Sequence, residues 1–181
     1  ANPSAKVTNS ASVDSFVVRN SVPTFANVSA STSLANGERT LQSFSVTADS
    51  AGSIAFGRII FDVVLSDSDA GNELGLDEFK FYRGGPLITA AEIYGATSGD
   101  VGVGGGTVGL AGADTDQVIV SFNEEESVAA GSSQTYSLKA TVLGTETDDS
   151  IDTKINIADE NAEVAGILGT SVCGAGNTTL C

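Results

Sequence analysis

The stretch Ser43-Phe-Ser-Val-Thr-Ala-Asp-Ser-Ala-Gly-Ser-Ile-Ala-Phe-Gly-Arg-Ile-Ile-Phe-Asp-Val-Val-Leu65 decides the fold class. Phe44, Val46 and Ala48 alternate with Ser45 and Thr47, the period of a strand with one face in a core and one in water. Asp49-Ser50-Ala51-Gly52 carries turn chemistry. From Ile54 to Leu65 the chain is nearly continuously apolar and rich in β-branched and aromatic residues, which predicts a central strand buried on much of both faces. The two halves read as a hairpin around which the other strands are laid.

Working outward, the same pattern recurs. Pro23 leads into the alternating run Thr24–Ala30, and Asn36-Gly37 is a turn signal ahead of the central stretch. Downstream, Leu76–Arg83 places Phe79 and Phe81 on one face. Leu87–Tyr94, Gln117–Phe122, Thr135–Leu143, Ser150–Ile157 and a short Val164–Leu168 segment also read as strands. The acidic run Glu124–Glu126 reads as a charged turn that discourages edge-to-edge aggregation. No amphipathic helix interrupts this series, so the expected fold is all-β, a sandwich of about nine or ten strands.

Composition agrees. A chain of 181 residues can bury a full-sized core, and its three prolines and lack of long charged runs favour a single main domain. The expected organisation is an N-terminal arm over 1–22, a sandwich over 23–168 and a C-terminal tail over 169–181. Twenty-three acidic against eight basic residues give a formal charge of −15. Such a surface repels phosphate backbones and anionic lipid, which argues against nucleic-acid partners. No run approaches the roughly 18 apolar residues of a membrane span. The polar start Ala1-Asn-Pro-Ser4, without Met, reads as a mature product after removal of a leader, and leads to the expectation of an extracellular or cell-surface location.

Chemistry-bearing residues are sparse. The absence of histidine removes Ser-His-Asp and Cys-His catalysis and histidine-ligated metals. Paired carboxylates could still support glycoside hydrolysis, but without tryptophan there is little to stack a sugar, and the expectation is a protein that is not an enzyme. Gly104-Gly-Gly-Thr-Val-Gly109 fits G-x-G-x-x-G in letters only, because no helix follows it to present amides to a phosphate. Asp67, Asp69, Asn72 and Glu73 put hard oxygen ligands in one loop, a candidate calcium site that lacks the spacing of an EF-hand, and a solvated acidic loop is the competing reading. Asp148, Asp149 and Asp152, and Asp114 with Asp116, form weaker acidic groups. Asn27-Val-Ser29 and Asn177-Thr-Thr179 match the glycan acceptor pattern. Cys173 and Cys181, separated by glycine-containing chain, can close a small disulfide ring worth about 2 to 3 kcal/mol, in keeping with an oxidising compartment.

The turns and strands also resemble a known class. Pro23-Thr24, Asn36-Gly37 through Leu41, Phe44-Ser-Val-Thr-Ala-Asp-Ser-Ala-Gly-Ser-Ile54, Ala130-Gly-Ser-Ser-Gln-Thr-Tyr-Ser-Leu-Lys-Ala-Thr-Val142 and Asp149-Ser-Ile151 are similar to Ig-like β-sandwich domains of large exported surface proteins from uncultivated bacterial lineages. The resemblance spans roughly residues 20 to 157. It implies architecture and an extracellular setting, and transfers no active-site residue.

Two functional expectations follow. The first is a structural subunit that polymerises with copies of itself into a pilus-like filament or surface array. Residues about 12 to 20 would be donated as a strand to the next subunit, with Val13, Phe16, Val17 and Val18 as contact residues. That segment could equally fold back as the first strand of its own sheet. The second is a calcium-stabilised adhesive module that recognises a glycan or protein through the Gly99–Gly112 excursion and the acidic loop.

Overall fold

The computed structural model describes residues 21–28, 33–68, 72–95, 110–111, 115–156 and 169–173, with backbone alone for 110–111 and 169–173. The protein is all-β. Eight strands with described side chains are β1 (Thr24–Asn27), β2 (Gly37–Thr47), β3 (Ile54–Ser66), β4 (Gly75–Arg83), β5 (Ala91–Gly95), β7 (Thr115–Val128), β8 (Ser133–Leu143) and β9 (Ser150–Asn156). Two short strands described by their backbone, β6 (Leu110–Ala111) and β10 (Gly169–Cys173), join them. One sheet has the order β1-β2-β8-β4-β6 and the other β10-β9-β3-β7-β5, and every pairing is antiparallel. No helix among the described residues is long and apolar enough to cross a membrane.

The central stretch is not a hairpin. β2 and β3 belong to different sheets, and Ala48–Ser53 is an arch that carries the chain from one layer of the sandwich to the other. Alternation alone cannot separate the two cases, because a hairpin and an arch both turn Phe44 and Phe61 toward one core. A hairpin would place them side by side in one sheet; here their rings meet across the layers at 6.1 Å. The arch is held by backbone hydrogen bonds and a side-chain cap. The Asp49 carbonyl accepts from Gly131 N–H at 3.1 Å, Ala48 N–H donates to Ser132 at 3.0 Å, and Asp49 Oδ1 caps Ala51 N–H at 2.8 Å. Gly131 makes this contact at φ +67°, a conformation glycine adopts without strain.

β3 does lie at the centre of its sheet, between β7 and β9. Ile59, Phe61, Val63 and Leu65 are buried, whereas Ile60, Asp62 and Val64 on the outer face are only half-buried. The outer face is thus less covered than its apolar sequence predicts.

Setting β5, β6 and β7 aside, the strands pair as β1-β2-β8-β4 and β10-β9-β3. This is the A-B-E-D and G-F-C arrangement of a constant-type immunoglobulin sandwich. The inserted β5 and β7 widen the second sheet beyond β3.

Aromatic residues fill the space between layers. Phe44 stacks on Tyr136 at 5.6 Å, and Phe81 lies parallel to Tyr136 at 5.8 Å and edge-on to Phe122 at 5.9 Å. Such pairs contribute about 0.5 to 1.5 kcal/mol each beyond burial. Phe79 and Phe81 share the inner face as the sequence predicts. Leu76 joins them because a bulge between Asp77 and Lys80, with Glu78 at φ +50°, shifts the phase by one residue.

Candidate functional site

The described chain begins at Ser21, whose hydroxyl accepts from Asp49 N–H at 3.2 Å, and Val22 is 69% exposed. β1 follows at once as the edge of its sheet, pairing Thr24–Asn27 with Thr47–Phe44. Its other side has no described strand. The predicted contact residues Val13, Phe16, Val17 and Val18 lie outside the described residues.

In the acidic loop, the structure uses Asp67 locally. Its Oδ2 accepts from Leu74 N–H at 3.2 Å. Asn72 and Glu73 are exposed, and Asp69 lies outside the described residues. The fully buried carboxylate nearby is Asp149. It accepts from Ser68 N–H and Ser68 Oγ, both at 3.0 Å, and from Glu146 N–H at 2.6 Å, joining the β3–β4 loop to the β8–β9 loop. Among the described residues no three or more Asp, Glu, Cys or His side chains are grouped to hold a metal.

Asn27, one of the two glycan acceptor candidates, sits exposed on β1 with its Oδ1 accepting from the buried Gln42 amide at 3.2 Å. Asn177 lies outside the described residues. Cys173 ends β10, its backbone opposite Ser150, and Cys181 lies outside the described residues.

A second polar cluster among the described residues is one the sequence did not single out. The acidic run is not a turn but part of β7. Between Ser121, opposite Arg58, and Glu126, opposite Phe56, the four residues Phe122–Glu125 face Gly57 alone. This bulge exposes Glu124 and Glu125 and turns Glu126 into the core, where it is only 8% exposed. Its Oε1 accepts from Arg83 Nη1 at 2.8 Å and from Tyr136 Oη at 3.0 Å. Arg83 ends β4 and Tyr136 is on β8, both in the sheet opposite β7, so one carboxylate ties the two layers together. A cleft of about 250 Å³ opens beside the tie, lined among others by Arg83, Ile88, Phe122 and Glu124.

Burial, and then the hydrogen bond to Glu126, push the Tyr136 phenol far above its ordinary range. The Glu126 hydrogen bond likewise raises Arg83. A tyrosine this reluctant to ionise is no acid or base near neutrality, and Arg83 remains a fixed cation. One signal for the cluster was legible: Glu126 shares its parity with Val118, Val120, Phe122 and Val128, the inward positions of β7.

On the outer face of the first sheet, Glu38 accepts from Lys80 at 3.0 Å and Lys139 at 3.5 Å, and Lys139 lies 4.5 Å over the Tyr82 ring. The Lys80 hydrogen bond lowers the Glu38 carboxyl from its ordinary value.

No protein-family model matches the chain, and no curated protein matches it. Among solved structures it is similar to AvmM, described as catalyzing macrocyclization in alchivemycin A biosynthesis. The match has a TM-score of 0.35 and 12% identity, over 90% of this chain and 93% of that one. At that level the likeness has no bearing on what this chain does.

Proposed function

We propose that the protein is a non-enzymatic structural subunit of an extracellular filament or cell-surface array, in which residues 12–20 of one copy add as a strand to a sheet edge of the next. The observation that supports this most directly is β1. The chain's first described strand is a four-residue sheet edge with no described strand on its other side, and it follows directly on the segment carrying Val13, Phe16, Val17 and Val18. Main-chain hydrogen bonds would supply most of the affinity, and alternating apolar side chains the register. The head-to-tail relation gives each copy one donor strand and one acceptor edge, which generates open chains of subunits. The many carboxylates keep such a surface soluble and free of nucleic acid.

Sedimentation velocity tests the reading. The full chain should form concentration-dependent oligomers, and Phe16→Asp with Val18→Asp should leave it monomeric. Persistence of the oligomers in that variant would reject strand donation. A monomeric full chain whose melting temperature rises with calcium would instead favour the adhesive module.

A further inference from the structure

Among the described residues, the buried side-chain atoms without a hydrogen-bond partner are Gln42 Oε1, Ser150 Oγ and Thr153 Oγ1, all on β2 or β9. Gln42 and Thr153 are both fully buried, and leaving such oxygens unpaired is costly. Their positions can be followed through the core. Phe44 and Phe61 meet across the layers. Two residues further from the arch on each strand stand Gln42 and Val63, and Val63 pairs with Thr153 in β9. Phe61, Val63, Thr153 and Ile155 share the inner face of their sheet, and β2 lies against β9 at this side of the sandwich. Gln42 and Thr153 therefore occupy the same level of the core, one from each layer, and they do not bond to each other. Ser150 stands at the start of β9 opposite Ser66 with the other parity, and is not part of the pair.

We infer that Gln42 and Thr153 hold a buried water molecule between the two sheets. The chemistry of the pair selects it. Gln42 Nε2 is committed to Asn27 Oδ1, which leaves an oxygen that can only accept. Thr153 Oγ1 can donate and accept. A bridging ligand must donate to the first and can do either with the second, and water does both in the smallest volume. Two neutral oxygens are too few and too weak for a metal ion. The water ties the layers at the β2/β9 side as Glu126 ties them at the β7/β8 side. This inference does not depend on the polymer reading.

The test combines a crystal structure fine enough to place ordered waters with melting curves of Thr153→Val and Gln42→Leu in the full chain. Thr153→Val keeps the shape and removes only the hydroxyl. With a bridging water, that loss should lower the melting temperature by about 2 to 4 °C. The double variant should lose less than the two single variants together, because both remove the same bridge. Density should lie within hydrogen-bond reach of both oxygens. A Thr153→Val protein that melts at the same or a higher temperature overturns the inference, as does a dry site in the crystal. Should either variant fail to fold, the crystal structure of the unaltered protein decides the question.

Discussion

Glu126 shows how one polar side chain can be buried with its partners supplied by the opposite layer. Its carboxylate receives a guanidinium and a phenol from the opposite sheet, so removing either donor leaves a buried anion underpaired. Tyr136→Phe keeps the ring stacks with Phe44 and Phe81 and deletes only the hydroxyl. It should cost about 2 kcal/mol in urea denaturation, the scale of a hydrogen bond to a charged group. The raised phenol pKa has a second consequence. Because Tyr136 holds its proton more tightly when folded than when unfolded, its contribution to stability is fully present below the unfolded pKa of about 10, and is lost as pH rises beyond it. Spectrophotometric titration should therefore show one of the three tyrosines failing to ionise until the protein unfolds in alkali, and Tyr136→Phe should remove that late step. At this scale the sequence was only partly legible. Three consecutive glutamates look like solvent-facing charge, and which of them turns inward depends on the bulge of β7 against β3 between Phe56 and Arg58, a contact more than sixty residues away along the chain.

The elements were more legible than their connections. Alternation located β2, β3, β4, β7, β8 and β9, because inward and outward positions on a half-buried strand obey a period of two whatever the strand's neighbours are. It could not tell that Ala48–Ser53 crosses between layers, since strand partners are chosen by contacts distant in sequence. The arch reading makes Phe44 a cross-layer contact, and Phe44→Ala should cost about 3 to 5 kcal/mol. The loops at the other end of β3 are equally constrained. Gly144 sits at φ +65°, and a Cβ there would collide with the Glu73 carbonyl. Gly144→Ala should consequently lower the melting temperature by more than the left-handed conformation alone would, a penalty of about 1 to 2 kcal/mol. By contrast, neutralising exposed Glu38 should barely move the melting temperature, as screened surface pairs contribute little. The candidate calcium loop was read from composition. The structure adds that Asp67 already holds a backbone amide, and that Asp149, noted only as part of a weaker acidic group, is the carboxylate that organises the neighbouring loops.

For the molecule as a whole, the sandwich is tied across its layers by Glu126 on one side, and by the inferred water between Gln42 and Thr153 on the other. The function proposed for it depends on the chain preceding Ser21 and on the sheet edge that chain leads into. Contacts between copies leave no periodic trace in a single sequence, which is why the fold class could be read there and the assembly is a proposal. Negative-stain electron microscopy of the full chain, beside a version beginning at residue 21 and checked for β structure by circular dichroism, tests the proposal most directly. Filaments from the full chain that vanish on truncation, with the shortened protein still folded, are the predicted result. Dispersed single particles from both proteins would contradict it.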